Sequence, residues 1–275
     1  NIRDNFLSGV VPKLKNGVAH TNYSLHAAAS GRPASRSPNI LNIPRDDDEI
    51  KRIFIARPEH KFIYADLSQI EVRVAGVIYD DQDLIDLCNS GGDFHSRIGA
   101  KVYKMPYELF YQKYQEKDKD ITMKRSAAKN VTFGILYQEG PKGLAYNLGI
   151  TEQQAEIFIE EYFEGFPSLK KNIDKTKEFV IKNGYVDSYF GFRRRWLYHG
   201  EDELKTQREA VNHKIQSTAW NLMQLILIQV DKLLEGKQSA LVMQVYDSLV
   251  VEAHNDEIEE LIPKVKEVME NVNKP

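Results

Sequence analysis

Residues 60–73 give the strongest indication of the fold, and their sequence is His-Lys-Phe-Ile-Tyr-Ala-Asp-Leu-Ser-Gln-Ile-Glu-Val-Arg. Up to Asp66, aromatic and acidic residues alternate with Ile and Ala, which is the two-residue period of a strand. From Ser68 the spacing lengthens to a helical one, and Ser68 is a candidate N-cap. The pattern predicts a buried strand that ends at Asp66 and leads into a helix. Asp66 itself is either a turn or capping residue, or a ligand for a hard cation.

A second stretch, residues 240–253, consists of two apolar, β-branched runs that meet at Asp247-Ser248. This pattern predicts a tight hairpin with an acid at its tip. If the hairpin pairs beside the first strand, Asp66 and Asp247 converge. Two carboxylates that close repel each other unless a cation lies between them, and two divalent ions about 3.5 to 4 Å apart are a common device for displacement at phosphorus.

A third stretch, residues 124–137, places Arg125, Lys129, Phe133 and Tyr137 four positions apart. On a helix these side chains share one face, with two cations followed by two aromatic rings. The cations can hold phosphates, and a ring can stack against a base. Taken alone, the same pattern also fits a solvated cationic stripe that ends in two core aromatics.

In their order along the chain, these stretches resemble the A-family DNA polymerases, of the bacterial polymerase I and phage replicative type. Asp66–Arg73 resembles their motif A, Arg125–Tyr137 their motif B, and Gln244–Leu249 their motif C. Three further segments resemble conserved segments of the family, namely Ser30–Pro44, Gly92–His95 and Asn212–Ala219. The resemblance implies an α+β fold, in which a right-hand polymerase palm with an antiparallel sheet is joined to mostly helical fingers.

The resemblance also implies the reacting groups. Asp66 and Asp247, with Leu67 as a further ligand, would bind two Mg²⁺ ions, and Lys129 would give a proton to the leaving pyrophosphate. Glu71 would fill the space beside the sugar C2′ and so exclude ribonucleotides. The residues implied to bind the dNTP are Arg125, Lys129, Phe133, Tyr137, His95, Gln69 and Glu71.

Primer-template DNA is the second implied partner. Arg32, Asn212 and Gln216 would face the minor groove at the primer terminus, where acceptor positions are nearly the same for all correct base pairs, so that shape is checked without reading sequence. The residues implied to bind primer-template are these three together with Asn39, Asn42, Arg208, Gln244 and Tyr246.

Motif C departs from the family pattern, because Tyr246-Asp247-Ser248 stands where His-Asp-Glu is usual. The second acid is missing, so an alternative is a primer-template-binding fragment of a larger polymerase with weak or no catalysis. Against this alternative, the related single-subunit phage-type RNA polymerases carry Ser directly after their motif C Asp. These RNA polymerases are also the nearest alternative family, but Glu71 is typical of the DNA polymerases. The substrate is therefore interpreted as dNTP.

The order of the motifs predicts palm over residues 1–72, fingers over residues 73–205 and palm again over residues 206–275. Within the fingers, Thr151-Glu-Gln-Gln154 is a capping box, Pro167 interrupts the helix, and Asn183-Gly184 ends the next one. The sequence offers no candidate for a thumb or a 3′ to 5′ exonuclease domain. A missing portion of the same polymerase is therefore an expected partner.

Composition adds little to these predictions. The chain has 275 residues, of which 42% are hydrophobic and 28% charged, with a net charge of −3. Locally, Arg193-Arg-Arg195 is a basic cluster that could contact phosphates. The single Cys88 excludes an intrachain disulfide and a thiolate zinc site. No segment predicts a membrane span, and the expected location is the cytoplasm of a bacterial or phage-infected cell, with an organelle left open.

Overall fold

The structure, a computed structural model, describes residues 8–41, 48–137, 139–197 and 200–272, without the side chains of residues 48 and 135–137. The chain folds as two units. The sheet unit comprises residues 1–68 and 219–275, and the helical unit comprises residues 69–218. The predicted palm and fingers limits at residues 72 and 205 differ from these, and the assignment of palm and fingers stays a prediction.

The strands of the described residues pair antiparallel. They are β1 (Asn22–Ser24), β2 (Ala34–Arg36), β3 (His60–Asp66), β4 (Tyr185–Asp187), β5 (Arg193–Arg195), β6 (Ala240–Val245) and β7 (Ser248–His254). Two pairs, β1-β2 and β4-β5, form small two-stranded sheets, whereas β3, β7 and β6 form a three-stranded sheet in that order. Together with the helices they give the α+β class that the sequence predicts.

The α-helices alternate with short connections through the middle of the chain. Those before residue 138 are α1 (Asp48–Lys51), α2 (Ile70–Ile78), α3 (Gln82–Asn89), α4 (Phe94–Val102), α5 (Tyr107–Gln115) and α6 (Lys119–Tyr137). Those after it are α7 (Pro141–Leu148), α8 (Glu152–Gly165), α9 (Pro167–Asn183), α10 (Glu203–Leu233) and α11 (Ile258–Asn271). Two 3-10 helices span Val11–Lys13 and Asn255–Glu257.

The predicted hairpin is confirmed, and it lies beside the predicted strand. β6 and β7 are joined by Tyr246-Asp247, and β7 pairs with β3 from His60 opposite His254 to Asp66 opposite Ser248. The tip is one residue earlier than expected, because Ser248 already belongs to β7. The pairing therefore brings the end of β3 to the turn that carries Asp247.

One face of this sheet packs against two helices. Helix α10 contributes Met223, Ile226 and Val230, and α11 contributes Leu261 and Val265, all of them nearly inaccessible to solvent. Spacings of three and four residues put these side chains on one face of each helix. The helix faces cover the inward side chains of β7, among them Leu249, Val251 and Ala253. The core of the sheet unit thus lies on one side of the sheet.

The opposite face of the sheet is open along β3, so the predicted burial of this strand is wrong. Ile63 and Ala65 are partly buried toward the core, but Phe62, Tyr64 and Asp66 are exposed. An antiparallel sheet can keep one face in water, and only the inward half of the alternating pattern is then buried. Asp66 ends a half-exposed strand.

The predicted cap at Ser68 is also wrong. Helix α2 begins at Ile70, and its N-cap is Gln69, whose backbone is left-handed with φ of 55° and whose side chain makes no capping hydrogen bond. Because the chain enters the helix through this conformation, Ser68 lies one residue too early to cap the first turn.

The helix starts and the helix end predicted for the helical unit are confirmed. Thr151 and Gln154 form a reciprocal capping box at the start of α8, and Pro167 opens α9. Gly184 ends α9 with φ of 72°, a conformation that glycine adopts without steric cost. The core of this unit contains large side chains with almost no exposure, including Tyr79, Phe110, Tyr162 and Phe166. No helix in the described ranges is long and apolar enough to cross a membrane.

Candidate active site

Asp66 and Asp247 lie next to each other at one end of the three-stranded sheet. Asp66 is the last residue of β3 and is paired with Ser248, which directly follows Asp247. The backbone N–H of Leu67 donates a hydrogen bond to the carbonyl oxygen of Asp247, with 3.0 Å between the two atoms. The sequence predicts that Asp66 and Asp247 converge if the hairpin pairs beside β3. The backbone pairing forms, and it brings the two residues together.

The turn that carries Asp247 is fixed by neighbouring side chains. Tyr246 has φ of 53°, in the left-handed region. The Ser248 hydroxyl donates to the carbonyl of Val245 at 2.9 Å, and the Gln244 side-chain amide donates to the carbonyl of Tyr246 at 2.7 Å. The Ser248 hydroxyl and the Gln244 amide therefore stabilise the turn.

A more distant residue, Tyr23 of β1, also holds this hairpin. Its hydroxyl donates to the carbonyl of Gln244 at 2.7 Å and accepts from the N–H of the same residue at 3.2 Å. Because β6 is an edge strand, its outward backbone groups have no neighbouring strand to pair with. Burial raises the pKa of Tyr23, although its hydrogen bond to Gln244 acts in the opposite direction. Tyr23 was not predicted from the sequence.

An open space beside Asp66 leaves its carboxylate accessible. Asp66 is exposed and accepts a hydrogen bond from the Tyr64 hydroxyl at 3.3 Å. A cavity of about 580 Å³ opens on this face of the sheet, with both residues, Phe62 and Ser248 among its lining. A ligand can therefore approach Asp66 from the face that α10 and α11 do not cover.

The donor set at this end of the sheet suits a hard cation. Two carboxylates and the backbone carbonyl of Leu67 are oxygen ligands, and Mg²⁺ is usually held by one or two carboxylates together with substrate phosphates. The described residues contain no group of three or more His, Cys, Asp or Glu side chains able to hold a metal. Asp66 and Asp247 therefore fit a site shared with a phosphate substrate better than a closed protein cage.

In the helical unit, α6 carries the predicted cationic and aromatic face. Arg125, Lys129 and Phe133 follow one another at four-residue intervals along one continuous helix. Lys129 is exposed and makes no ion pair with any described residue, whereas Arg125 and Phe133 are partly buried. Tyr137 ends the helix, and its side chain is outside the described residues.

Arg125 is bound to a carboxylate that the sequence analysis did not select. Its Nε donates to Asp93 Oδ2 at 2.8 Å, and its Nη2 donates to Asp93 Oδ1 at 2.7 Å. The guanidinium also lies 4.4 Å from the centre of the Tyr114 ring. The hydrogen bonds from Arg125 hold the pKa of Asp93 far below its usual range. Asp93 lies in the family-like segment Gly92–His95 and stands in the cap position just before α4, but neither signal predicts its pairing with Arg125.

His95, on the first turn of α4, lies near the same helix face. Its ring centre is 5.9 Å from that of Phe133. Burial, followed by the nearby charges of Arg125 and Lys129, lowers the pKa of His95 to about 4. The imidazole is therefore neutral at neutral pH, and its buried Nδ1 has no hydrogen-bond partner among the described residues. The structure thus brings Arg125, Lys129, Phe133 and His95 together.

The two other residues predicted to bind the dNTP stand at the start of α2. Gln69 is the left-handed N-cap and is partly exposed. Glu71 lies in the first turn and is partly buried. An acidic side chain in the first turn of a helix is stabilised by the helix dipole.

The predicted DNA-contacting residues of the sheet unit are held in different ways. Arg32 is partly buried, and Tyr246 is 36% exposed at the hairpin tip. Asn39 is exposed, but its Oδ1 accepts hydrogen bonds from the Ser35 hydroxyl and from the N–H of Leu41. Asn42 lies outside the described residues.

In the helical unit, Arg208, Asn212 and Gln216 follow at four-residue intervals on α10. Arg208 is exposed at a cavity of about 260 Å³ between α6, α7, α8 and α9. Asn212 and Gln216 are partly exposed, and Asn212 Oδ1 is a buried acceptor for which the described part of the chain supplies no donor. An unpaired buried acceptor is unusual in a native structure.

The Arg193–Arg195 cluster forms β5, and two of its members are engaged within the chain. Arg193 makes a two-point ion pair with Asp187 of the neighbouring strand, at 2.7 and 2.8 Å. Arg194 pairs with Glu209 of α10. The cluster is therefore less available to phosphates than its sequence suggests.

Comparison with known proteins places the chain in a family. A sequence model of DNA polymerase family A matches residues 3–275. The DNA polymerase I of Chloroflexus aurantiacus is 36% identical over 267 residues, and the thermostable DNA polymerase I of Thermus aquaticus is 35% identical over 266 residues. Each alignment covers 94% of this chain, but only 27% and 31%, respectively, of the relative. The chain thus spans less than a third of these proteins.

A solved structure gives the same result for the fold. The POL domain of Pol1 from M. smegmatis, in complex with DNA primer-template and dNTP, matches with a TM-score of 0.85 and 28% identity. The match covers 98% of this chain and 47% of that one. The α+β arrangement is therefore that of a polymerase domain. With a family model that matches nearly its whole length, the chain belongs to DNA polymerase family A.

Proposed function

We propose that the chain catalyses template-directed DNA synthesis, by nucleotidyl transfer from a dNTP to a primer 3′-hydroxyl with release of pyrophosphate. The observation that carries this proposal is the contact between Leu67 and Asp247, which brings two motif carboxylates to one end of the sheet. Family membership and the primer-template and dNTP bound to the related M. smegmatis domain support it.

Asp66, Asp247 and the backbone carbonyl of Leu67 would hold two Mg²⁺ ions. When bound, Mg²⁺ neutralises phosphate charge and lowers the pKa of a coordinated hydroxyl. The carboxylates would keep the primer terminus and the triphosphate aligned, because Asp66 ends β3 and Asp247 stands in a two-residue turn held by hydrogen bonds.

The helical unit would bind the triphosphate. Lys129, exposed and without an ion pair among the described residues, can approach the phosphates and give a proton to pyrophosphate. Arg125 would add a planar fork, and neutral His95 an uncharged contact. Phe133 and Tyr137 would lie against the nascent base pair, with Gln69 beside the nucleotide.

Selection of deoxyribose would depend on Glu71. A carboxylate beside the sugar C2′ leaves a 2′-hydroxyl without room and disfavours its desolvation. Primer-template DNA would be held by Arg32, Asn39, Asn42, Arg208, Asn212, Gln216, Gln244 and Tyr246. In this proposal the sheet unit acts as the palm and the helical unit as the fingers.

A second candidate is a body that binds primer-template without efficient catalysis. It is favoured by one observation, the hydrogen bond from Ser248 to Val245. Because this hydroxyl is engaged in the turn, Ser248 does not replace the acid that the family usually carries after the motif C Asp.

Single-nucleotide extension of a labelled primer-template in Mg²⁺ tests the proposal. The wild-type chain and Asp247→Ala are compared with dNTP and with rNTP, and primer-template affinity is measured for both. We expect extension with dNTP only, and its loss in the variant while DNA binding persists. DNA binding without extension by the wild-type chain would support the second candidate instead.

A further inference from the structure

Arg125 is held in place by side chains of its own chain. Asp93 engages its Nε and Nη2, and Tyr114 covers one face of the guanidinium at 4.4 Å. The Arg125 and Asp93 side chains are only 18% and 24% exposed. The Arg125 Nη1 makes no hydrogen bond with any described residue. One edge of the guanidinium is therefore held, and the other retains N–H groups for a ligand.

Asp93 is itself fixed, so it can transmit a defined position to Arg125. As the N-cap of α4, it accepts a hydrogen bond from the N–H of Ser96 at 2.8 Å. Its own N–H donates to the Tyr107 hydroxyl at 3.0 Å. The Tyr107 ring lies 3.9 Å from the Arg97 guanidinium, which donates to the carbonyl of Ser90. The carboxylate thus has little freedom to follow a moving arginine.

Lys129, one helical turn further along α6, provides a contrast. Its amine is exposed and makes no ion pair with a described residue. Arg125 is held by its own chain, whereas Lys129 is exposed. The same helix face therefore combines a positioned cation with an exposed one.

We propose that Asp93 is a positioning residue for dNTP binding, which holds the Arg125 fork so that its remaining N–H groups meet the triphosphate without further ordering. This inference rests on the proposed function, since it assigns the triphosphate to Arg125. Asp93 touches no substrate atom and acts only through Arg125.

Two effects of Asp93 oppose each other. Its negative charge repels the triphosphate, but for the roughly two net charges of a Mg²⁺-bound triphosphate about 8 Å away in water this costs only about sixfold in affinity. The freedom of an unrestrained arginine side chain corresponds to about thirtyfold. Pre-positioning is therefore the larger effect, and loss of Asp93 weakens dNTP binding.

The test separates positioning from helix capping by three substitutions. Asp93→Asn keeps an oxygen for the Ser96 N–H, since Asn is as good an N-cap as Asp, but it loses the charged two-point acceptor. Asp93→Glu keeps a carboxylate and loses the capping geometry. Asp93→Ala loses both functions. Asp120→Asn is the matched control. It removes the ion pair between Asp120 and Lys124, the residue directly before Arg125.

The dissociation constant of the correct dNTP is measured on a complex of each variant with dideoxy-terminated primer-template in Mg²⁺. The dissociation constant of primer-template alone and the thermal midpoint are measured in parallel. We expect Asp93→Asn to melt near the wild-type temperature and to bind primer-template equally well, but to bind dNTP about fivefold more weakly. Asp93→Glu regains part of this affinity despite a lower midpoint, and Asp120→Asn binds dNTP like the wild type.

Unchanged or tighter dNTP binding by Asp93→Asn overturns the inference, since Asp93 then only caps α4 or competes with the substrate. If the wild-type chain binds primer-template but no dNTP, the proposed function fails, and the inference fails with it. The two failures are distinguishable because the first requires measurable dNTP binding by the wild type.

Discussion

Asp66 in the sheet unit and Arg125 in the helical unit carry opposite charges and differ in how those charges are compensated. Asp66 is exposed, and among the described residues it has only a 3.3 Å hydrogen bond from Tyr64. Arg125 has a two-point partner in Asp93 and an aromatic ring on one face. The carboxylate is thus open to an incoming cation, while the arginine is held by side chains of its own chain.

The two units also differ in their packing. In the sheet unit, aliphatic side chains of two helices cover one sheet face, with Leu261 fully inaccessible. In the helical unit, two helices approach closely at a glycine, which has no side chain. A Cβ on Gly99 of α4 would meet the Phe110 ring of α5 at 2.5 Å. The first kind of core is sensitive to lost volume, and the second to added volume.

The largest expected effect comes from removing the open charge. Asp66→Asn should slow primer extension by about a thousandfold or more at saturating dNTP, because the amide cannot replace a charged metal ligand. Single-turnover extension at several Mg²⁺ concentrations measures this loss. Tyr64→Phe, which removes only the hydroxyl that donates to Asp66, serves as the control. A loss below about tenfold in Asp66→Asn would exclude this carboxylate from the reaction.

The next effect concerns the aliphatic core of the sheet unit. Leu261→Ala should lower the free energy of unfolding by about 2–5 kcal/mol, because it leaves a cavity under the sheet. Ile262→Ala is a matched control at the next position, where the side chain is 51% exposed, and it should change stability by about 0.5 kcal/mol or less. Urea denaturation measures both values. Equal losses for the two variants would be inconsistent with the burial pattern of α11.

The close helix contact of the helical unit should respond to one added methyl group. Gly99→Ala is expected to destabilise the protein by about 1–3 kcal/mol, because α4 and α5 must move apart. Gly165→Ala is the control, since its Cβ would lie at an ordinary 3.5 Å from Val102. Thermal unfolding compares the two. A stabilised Gly99→Ala variant would show that the Phe110 ring can move aside at no cost.

A smaller effect is expected at the hydroxyl that holds the motif C hairpin. Tyr23→Phe removes two hydrogen bonds to Gln244 and should cost about 1 kcal/mol, moderated by water that can reach this partly exposed edge. Hydrogen exchange at the backbone N–H of Gln244 should become faster. Tyr146→Phe, at a ring that is 88% exposed, should leave both quantities unchanged. Unaltered exchange in Tyr23→Phe would mean that the edge of β6 is protected by other groups.

The last expected effect, which develops only below pH 6.5, is a dependence of stability on pH through His95. The pKa of this imidazole is lowered from 6.5 to about 4 in the folded chain. The unfolded chain therefore takes up the proton first, so the contribution of His95 is complete above pH 6.5 and is lost as the pH falls toward 4. His95→Gln should flatten the stability profile between these values, measured by denaturation at several pH values.

The matched control for this profile is His26→Gln, which removes an exposed imidazole. Its pH profile should follow that of the wild-type chain. If His95→Gln and the wild type lose stability in parallel between pH 6.5 and 4, the environment of His95 does not disfavour the charged form.

Local patterns in the sequence were sufficient for the elements whose partners are close in the chain. The cationic stretch is a helix, the capping box and Pro167 stand at helix starts, and the motif C segment is a hairpin. The helix features depend on neighbours within about four residues, and the hairpin depends on two adjacent apolar runs joined by a short turn. The exposure of β3 was not predictable, because alternation does not tell whether a second layer covers the outer face.

The α+β class, the acidic strand and hairpin, and the helix that carries Arg125, Lys129 and Phe133 could all be predicted from the sequence alone. Which side chains meet across long stretches of chain is visible only in the tertiary structure. Asp93 and Arg125 are 32 residues apart, and Tyr23 and Gln244 are 221 residues apart. Their pairing depends on where whole helices and strands are placed by core packing, and no local spacing in the chain encodes that placement.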